Sequence, residues 1–199
     1  MSINKESNTI SNSTRYESNQ TSTHTSLLVV NENMKPFKEM SGSSSTKTLL
    51  TIGIPSARRP GGISYLQRCL YSLFENVFPG NRHLFSIVVY VAENDQDYIN
   101  EQFNSLNTNF YKEIESGQLE VISPPEDLHN FMGDIKLKFG DSVNRTAWRT
   151  KQAFDLGYLT WYCRCKSDYY LALEDDVIAA KGYIEVIKDT IKSYQVGLF

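Results

Sequence analysis

Apolar positions along the chain fall into two regimes that meet near residue 48. Before that point they are few and unpatterned, and half of residues 1–46 are Ser, Thr or Asn. Such a segment buries too little apolar surface to offset its chain entropy. Residues 1–47 are therefore predicted to be a disordered, Ser/Thr/Asn-rich stem or tail, with Ser41-Gly42-Ser43-Ser44-Ser45 as a flexible linker. From Thr48 onward the pattern is regular, and residues 48–199 read as the folded part.

Leu49 to Ile54 is a short, mostly apolar run stopped by Pro55, which predicts a strand buried on both faces. Ile63, Leu66, Leu70, Leu73 and Val77 recur at helical spacing, and Pro79-Gly80 closes that helix. Ile87 to Val91 is β-branched and aromatic throughout and reads as a second strand. A second helical stripe runs through Ile99, Phe103, Leu106, Phe110 and Ile114, with Gly117 placed to end it. Leu119 to Ile122 is a short strand ended by Pro124-Pro125. A loop leads to a long helix from about Asp141 to Cys165, then a fourth strand from Tyr169 to Leu173. Tyr183, Ile187, Ile191 and Tyr194 mark a last helix. Alternation of this kind predicts an α/β fold, an open and mostly parallel sheet with helices on both faces.

Composition narrows the function classes. With 20 Lys+Arg against 23 Asp+Glu, the chain lacks the basic excess of a general nucleic-acid binder, so no nucleic-acid partner is expected. No apolar stretch approaches the roughly 18 residues of a spanning helix, and Met1 to Thr25 contains no apolar core of a signal peptide. Cys69, Cys163 and Cys165 form an odd set, which excludes a complete disulfide framework. Cys163 and Cys165 are too close in sequence for a usual zinc knuckle.

In open α/β sheets, ligands bind beyond the carboxyl ends of the strands. Those ends are Pro55-Ser56-Ala57-Arg58-Arg59, Glu93-Asn94-Asp95, Ser123-Pro124-Pro125-Glu126 and Glu174-Asp175-Asp176. No glycine fingerprint for a dinucleotide, no phosphate loop and no serine-hydrolase elbow accompanies them. Three adjacent acids after an apolar strand repel one another, and a hard divalent cation relieves that repulsion before bridging to substrate phosphates. The alternative makes Asp176 a helix cap and leaves Glu174 and Asp175 solvated. Arg58 and Arg59 either meet a diphosphate or stand as solvated loop charges. Glu93 and Asp95 either accept hydrogen bonds from a nucleoside or, for Asp95, cap the next helix. Arg145, Arg149 and Lys151 either face the same crevice or form a solvated helix side.

At these residues the chain resembles the α-1,3-mannosyl-glycoprotein 4-β-N-acetylglucosaminyltransferases (N-acetylglucosaminyltransferase IV). The matching pieces include Leu50 to Pro55, Ser64-Tyr65-Leu66, Ser72-Leu73, Ile87-Val88-Val89 and Glu120 to Pro125. The strongest are Phe139-Gly140-Asp141-Ser142, Trp148-Arg149-Thr150-Lys151-Gln152 and Leu173-Glu174-Asp175-Asp176. Their shared order and spacing, over about residues 48–195, is more specific than any one piece.

The resemblance implies a GT-A fold and inverting transfer of N-acetylglucosamine from UDP-N-acetylglucosamine. The acceptor it implies is the α-1,3-linked mannose arm of an N-glycan on a glycoprotein, joined in β-1,4 linkage in the Golgi. It makes Glu174-Asp175-Asp176 the metal motif, with Asp176 as direct ligand of Mn²⁺, Glu174 beside it and Asp175 on the donor. It sets Pro55, Ser56, Arg58 and Arg59, with Glu93 or Asp95, around the uridine, and Asp141 and Arg149 near the ribose and diphosphate. Family members begin with a membrane anchor and continue beyond the metal motif into an acceptor-binding half, where the catalytic base is expected, past Phe199. The sequence expectation is thus the donor-binding part of such a transferase, lacking its C-terminal half. The alternative is a non-catalytic transferase-like protein that binds a partner such as a full-length transferase.

Overall fold

Strands that read as continuous apolar runs need cover on both sides, and the observed architecture supplies it. The computed structural model describes residues 34–42, 47–125, 128 and 140–196. In chain order the elements are β1 (Glu39–Met40), β2 (Thr48–Ser56), α1 (Leu66–Glu75), β3 (Phe85–Val91), α2 (Gln96–Asn109), α3 (Tyr111–Glu115), β4 (Leu119–Ile122), α4 (Val143–Cys163), β5 (Ser167–Ala172) and α5 (Tyr183–Val196). A 3-10 turn at Pro79–Leu84 leads into β3. The strands form one sheet of order β1-β4-β3-β2-β5. β4, β3, β2 and β5 are parallel, and β1 pairs antiparallel with β4. The α/β class expected from the pattern is the one observed.

One face of the sheet packs against α1, α2 and α5 through a core that includes Ile52, Ile54, Leu70, Ile87, Phe103 and Ile184. The other face packs against α4, where Val88, Tyr90, Ile122, Tyr158 and Leu159 are buried. The chain passes from β2 through α1 to the adjacent β3, then on to β4. It returns through α4 to lie at β5, on the far side of β2. Strand order therefore reverses beside β2.

Three local features differ from the pattern reading. Residues 39–40, placed in the tail, join the sheet as β1. The pairing partner is supplied by the outer edge of β4, where Lys38 N donates to Ser123 Oγ and Ser123 N to Lys38 O. Two residues are too few to show an alternating pattern. Of the rest of the expected tail, residues 1–33 and 43–46 lie outside the described residues.

β2 runs through Pro55 instead of stopping there. Gly53 O accepts from Leu173 N on the β5 side, and Pro55, two residues on, faces that same side beyond the end of β5. Its missing N–H costs no ladder bond. Finally, the second helical stripe is broken at Phe110, whose φ of −130° separates α2 from α3. Thr108 and Asn109 bond back to the carbonyls of Asn104 and Ser105, competing with the backbone. Phe110 turns in against Tyr71 and Phe74.

Candidate functional site

The reversal of strand order beside β2 is where an open sheet forms a crevice at its carboxyl edge. Glu174, Asp175 and Asp176 enter that edge on the segment that follows β5, and the segment is strapped to β2 and to α1. Leu173 N donates to Gly53 O, Ala179 N to Ser72 Oγ at 3.0 Å, and Asn76 Nδ2 to Ala179 O at 2.9 Å. Gly182 N donates to Asn76 O at 2.7 Å. These bonds hold three adjacent acids in one arrangement despite their repulsion.

Asp175 turns inward and is 6% exposed. Ser56 Oγ, at the last residue of β2, donates to its Oδ2 at 2.5 Å, and Arg59 Nη2 donates to its Oδ1 at 2.5 Å. The same Arg59 nitrogen lies 3.3 Å from Asp176 Oδ2. Both oxygens of Asp175 are thus engaged, whereas the Asp176 side chain is 40% exposed and Glu174 is exposed. The Asp175 hydrogen bond, then its charge, raises the Arg59 pKa above its usual value, so the guanidinium stays charged at any working pH. Beneath the acids, burial and then the Asp175 charge push the Cys69 thiol up to about 11. It is inert at neutral pH.

A second cluster lies at the end of β3. Arg58 N donates to Glu93 Oε1 at 2.9 Å, and Arg58 Nη2 pairs with Asp95 Oδ2 at 2.8 Å. Asp95 also caps α2, accepting from the backbone N–H of Asp97 and Tyr98. The Tyr98 N–H, then Arg58, holds its carboxyl below the usual range. The Arg58 guanidinium lies 4.3 Å from the centre of the Tyr98 ring.

The third cluster opens α4. Ser142 Oγ accepts from Arg145 N as the cap, while Asp141 pairs with Arg149 at 2.7 Å and with Arg145 at 3.2 Å. Lys151 points elsewhere. It donates to Ala92 O at 2.7 Å and to Asp155 Oδ2 at 2.6 Å, and Tyr90 OH donates to Asp155 Oδ1 at 2.8 Å. Asp155, 4% exposed, therefore ties α4 to the carboxyl end of β3.

The structure gathers Ser56, Arg59, Asp175 and Asp176 into one cluster and Arg58, Glu93 and Asp95 into another. Pro55 pairs in register with Tyr90 inside the sheet. Asp141 and Arg149 bind each other. Asp176 caps nothing, since the next helix begins at Tyr183. Asp95 does act as a cap while holding Arg58. At the end of β4, Ser123 secures β1, and Glu126 lies outside the described residues. Tyr65 entered the sequence reading only as part of the resemblance, and Tyr98, Tyr90 and Asp155 were given no site role there. Only Asp155 left a signal there, as the i+4 partner of Lys151.

A divalent cation is a fit for this donor set only in one form. Among the described residues, no group of three or more His, Cys, Asp or Glu is placed to cage a metal. Asp176 Oδ1 has no donor among the described residues, and the Glu174 carboxylate is open. One or two open carboxylates suit a cation that brings substrate phosphates and water as its other ligands.

Comparison with known proteins adds a family. The MGAT4 conserved region matches residues 8–196. Alpha-1,3-mannosyl-glycoprotein 4-beta-N-acetylglucosaminyltransferase A from Rattus norvegicus is 40% identical over 167 residues, 83% of this chain and 31% of that protein. The Bos taurus protein of the same name is 39% identical over the same shares. Alpha-1,3-mannosyl-glycoprotein 4-beta-N-acetylglucosaminyltransferase B from Danio rerio is 36% identical over 163 residues, 82% of this chain and 29% of that protein. The chain spans about a third of the length of these relatives.

Proposed function

The chain belongs to the MGAT4 family, and from that premise we propose that it forms the donor-nucleotide part of a metal-dependent N-acetylglucosaminyltransferase. The donor on this reading is UDP-N-acetylglucosamine. The acceptor is the α-1,3-linked mannose arm of an N-glycan, joined in β-1,4 linkage with inversion, in the Golgi lumen. The sheet would serve as the nucleotide-binding layer of a GT-A domain. The observation that carries the proposal is the joining of the ends of β2 and β5 by Ser56, Arg59, Asp175 and Asp176.

Each residue then has a task that follows from its contacts. Ser56 and Arg59 engage both oxygens of the buried Asp175, which makes it a scaffold. It fixes the turn that presents Asp176. Asp176, with Glu174 beside it, would hold the cation, for which we name Mn²⁺. When bound, that cation supplies charge stabilisation for the departing diphosphate oxygen, an effect worth several kcal/mol. Arg58 and Arg59 add positive charge where the diphosphate would lie. Glu93 and Asp95 hold Arg58 over Tyr98, so this cluster offers a ring, a guanidinium and carboxylate edges to a nucleoside. Asp141 keeps Arg149 and Arg145 together at the first turns of α4, toward the ribose and diphosphate. A base must take the proton of the attacking hydroxyl. Asp175 is too fully engaged for that role, and the base is assigned to the acceptor-binding part of the family's domain.

Calorimetric titration of UDP into the 199-residue chain, with and without Mn²⁺, tests the reading. Binding that requires Mn²⁺ is the expected result. A folded chain that binds no UDP under either condition would overturn it.

A further inference from the structure

We propose that Arg59 is a stand-in for the cation at Asp176: a divalent ion takes that carboxylate over, and the guanidinium, still anchored on Asp175, turns to the donor diphosphate. This inference rests on the donor-site reading above and concerns the order of events at that site.

Arg59 is held by two carboxylates unequally. Its Nη2 is 2.5 Å from Asp175 Oδ1, an oxygen of a buried group, but 3.3 Å from Asp176 Oδ2. The second contact lies beyond a good charge-assisted hydrogen bond and involves a carboxylate open to water. It is therefore the one a divalent ion can take. Two charges at 4 Å in water interact by about 1 kcal/mol per unit product, so a dication on Asp176 repels a guanidinium there more strongly than Asp176 alone attracts it.

With both carboxylate contacts in place, the guanidinium carbon already lies 5.0 Å from the centre of the Tyr65 ring, which can keep the cation company when the Asp176 contact is given up. Arg59 is followed by Pro60-Gly61-Gly62, and both glycines have positive φ, 84° and 73°. A Cβ at either would meet nothing within 4 Å, so neither is there to avoid a clash. They let the loop between β2 and α1 take its left-handed turn, closed by Gly62 N donating to Arg59 O at 3.1 Å, with no side chain crowding it. Arg58 cannot exchange roles with Arg59, because its backbone N–H and its guanidinium are fixed by Glu93 and Asp95.

The consequence is a pair of opposite affinity changes, as for any positive charge beside these carboxylates, together with a response of the Arg59 side chain itself to the divalent ion that a fixed ion pair would not give. Removing Arg59 removes the competitor for Asp176, so Mn²⁺ alone should bind tighter, by roughly fivefold at low salt. The same change removes a diphosphate contact, so UDP in saturating Mn²⁺ should bind weaker, by a similar factor. The measurements are calorimetric titrations of Mn²⁺, and of UDP at saturating Mn²⁺, into the full chain and its Arg59→Ala variant. Lys112→Ala on α3 deletes the same charge elsewhere and should change neither affinity by more than about 1.5-fold. In the unaltered chain, addition of Mg²⁺ should shift the side-chain nitrogen resonance of Arg59 and not that of Arg58, which keeps the test intact if Arg59→Ala folds poorly. Mn²⁺ binding that Arg59→Ala weakens or leaves unchanged, or an Arg59 resonance that ignores Mg²⁺, would sink the handover alone. Failure of every form to bind Mn²⁺, with or without UDP, would sink the donor-site reading and the handover with it.

Discussion

On one face of the sheet, α1, α2 and α5 bury a layer that is almost wholly apolar, with Ile52, Leu70, Phe85 and Leu106 at its centre. On the other, α4 buries tyrosines and charges. Tyr90 and Lys151 converge on Asp155, while Tyr162 and Lys166 converge on Glu120 in β4. Burial, then the carboxylate beside it, pushes each of Tyr90 and Tyr162 far above the usual phenol range. Both remain hydrogen-bond donors. An apolar layer is non-directional and accommodates a helix at several positions along a strand. Directional bonds at the middle and the C-terminal end of α4 fix its register, and with it the place of Asp141 and Arg149 at the carboxyl edge. The difference teaches that stability and positioning are divided between the faces, and that the candidate site depends on both.

The comparison can be broken most severely on the apolar face. Leu70 is fully buried in that layer, and Leu70→Ala should cost about 3–5 kcal/mol in denaturant unfolding, the range for a cavity that cannot collapse. On the α4 face, Asp155→Ala should cost about 3 kcal/mol, because it strands Lys151 and Tyr90 near the core. The double variant Asp155→Leu with Lys151→Met should recover most of that loss while still weakening UDP binding. Recovery of both stability and affinity would show that the network only packs. Tyr90→Phe keeps the ring and deletes one donor, for an expected loss of about 1–2 kcal/mol.

The smallest effect lies in the second cluster. Asp95→Asn keeps a capping oxygen and loses the ion pair with Arg58. The folded pKa of Asp95 is below the unfolded value of about 3.9, so its contribution is complete above roughly pH 4 and fades as pH falls through the folded value. The variant should melt slightly lower than the parent at neutral pH, and the gap should close below pH 4. A gap that widens in acid would mean that the charge of Asp95 is not what matters.

Much of this was legible in the chain. Ile52, Ile87 and Val121 sit in runs apolar enough to mark strands covered on both sides, and the α/β order followed from the helical stripes between them. Arg58-Arg59 and Glu174-Asp175-Asp176 stood out because charge directly after a buried strand is unusual. What could not be read was how these charges divide. Neighbouring residues point in different directions, so Arg58 meets Asp95 while Arg59 meets Asp175, and only the fold decides which. Lys151 was grouped with Arg149, yet two helical steps of about 100° carry it to the opposite side, against Asp155. β1 was hidden because β4 supplies its structure, and the break at Phe110 because its side chain still continues the apolar stripe.

The central claim, that the donor site lies where β2 and β5 end, is tested most directly by paramagnetic broadening. Mn²⁺ would be added in small amounts to the isotope-labelled chain with UDP present, and loss of backbone amide signals followed by residue. The account expects signals from Ser56 to Arg59 and from Glu174 to Val177 to vanish first, while those of α3, beyond the opposite edge of the sheet, persist. Broadening centred anywhere else, or none at these two segments, would contradict it.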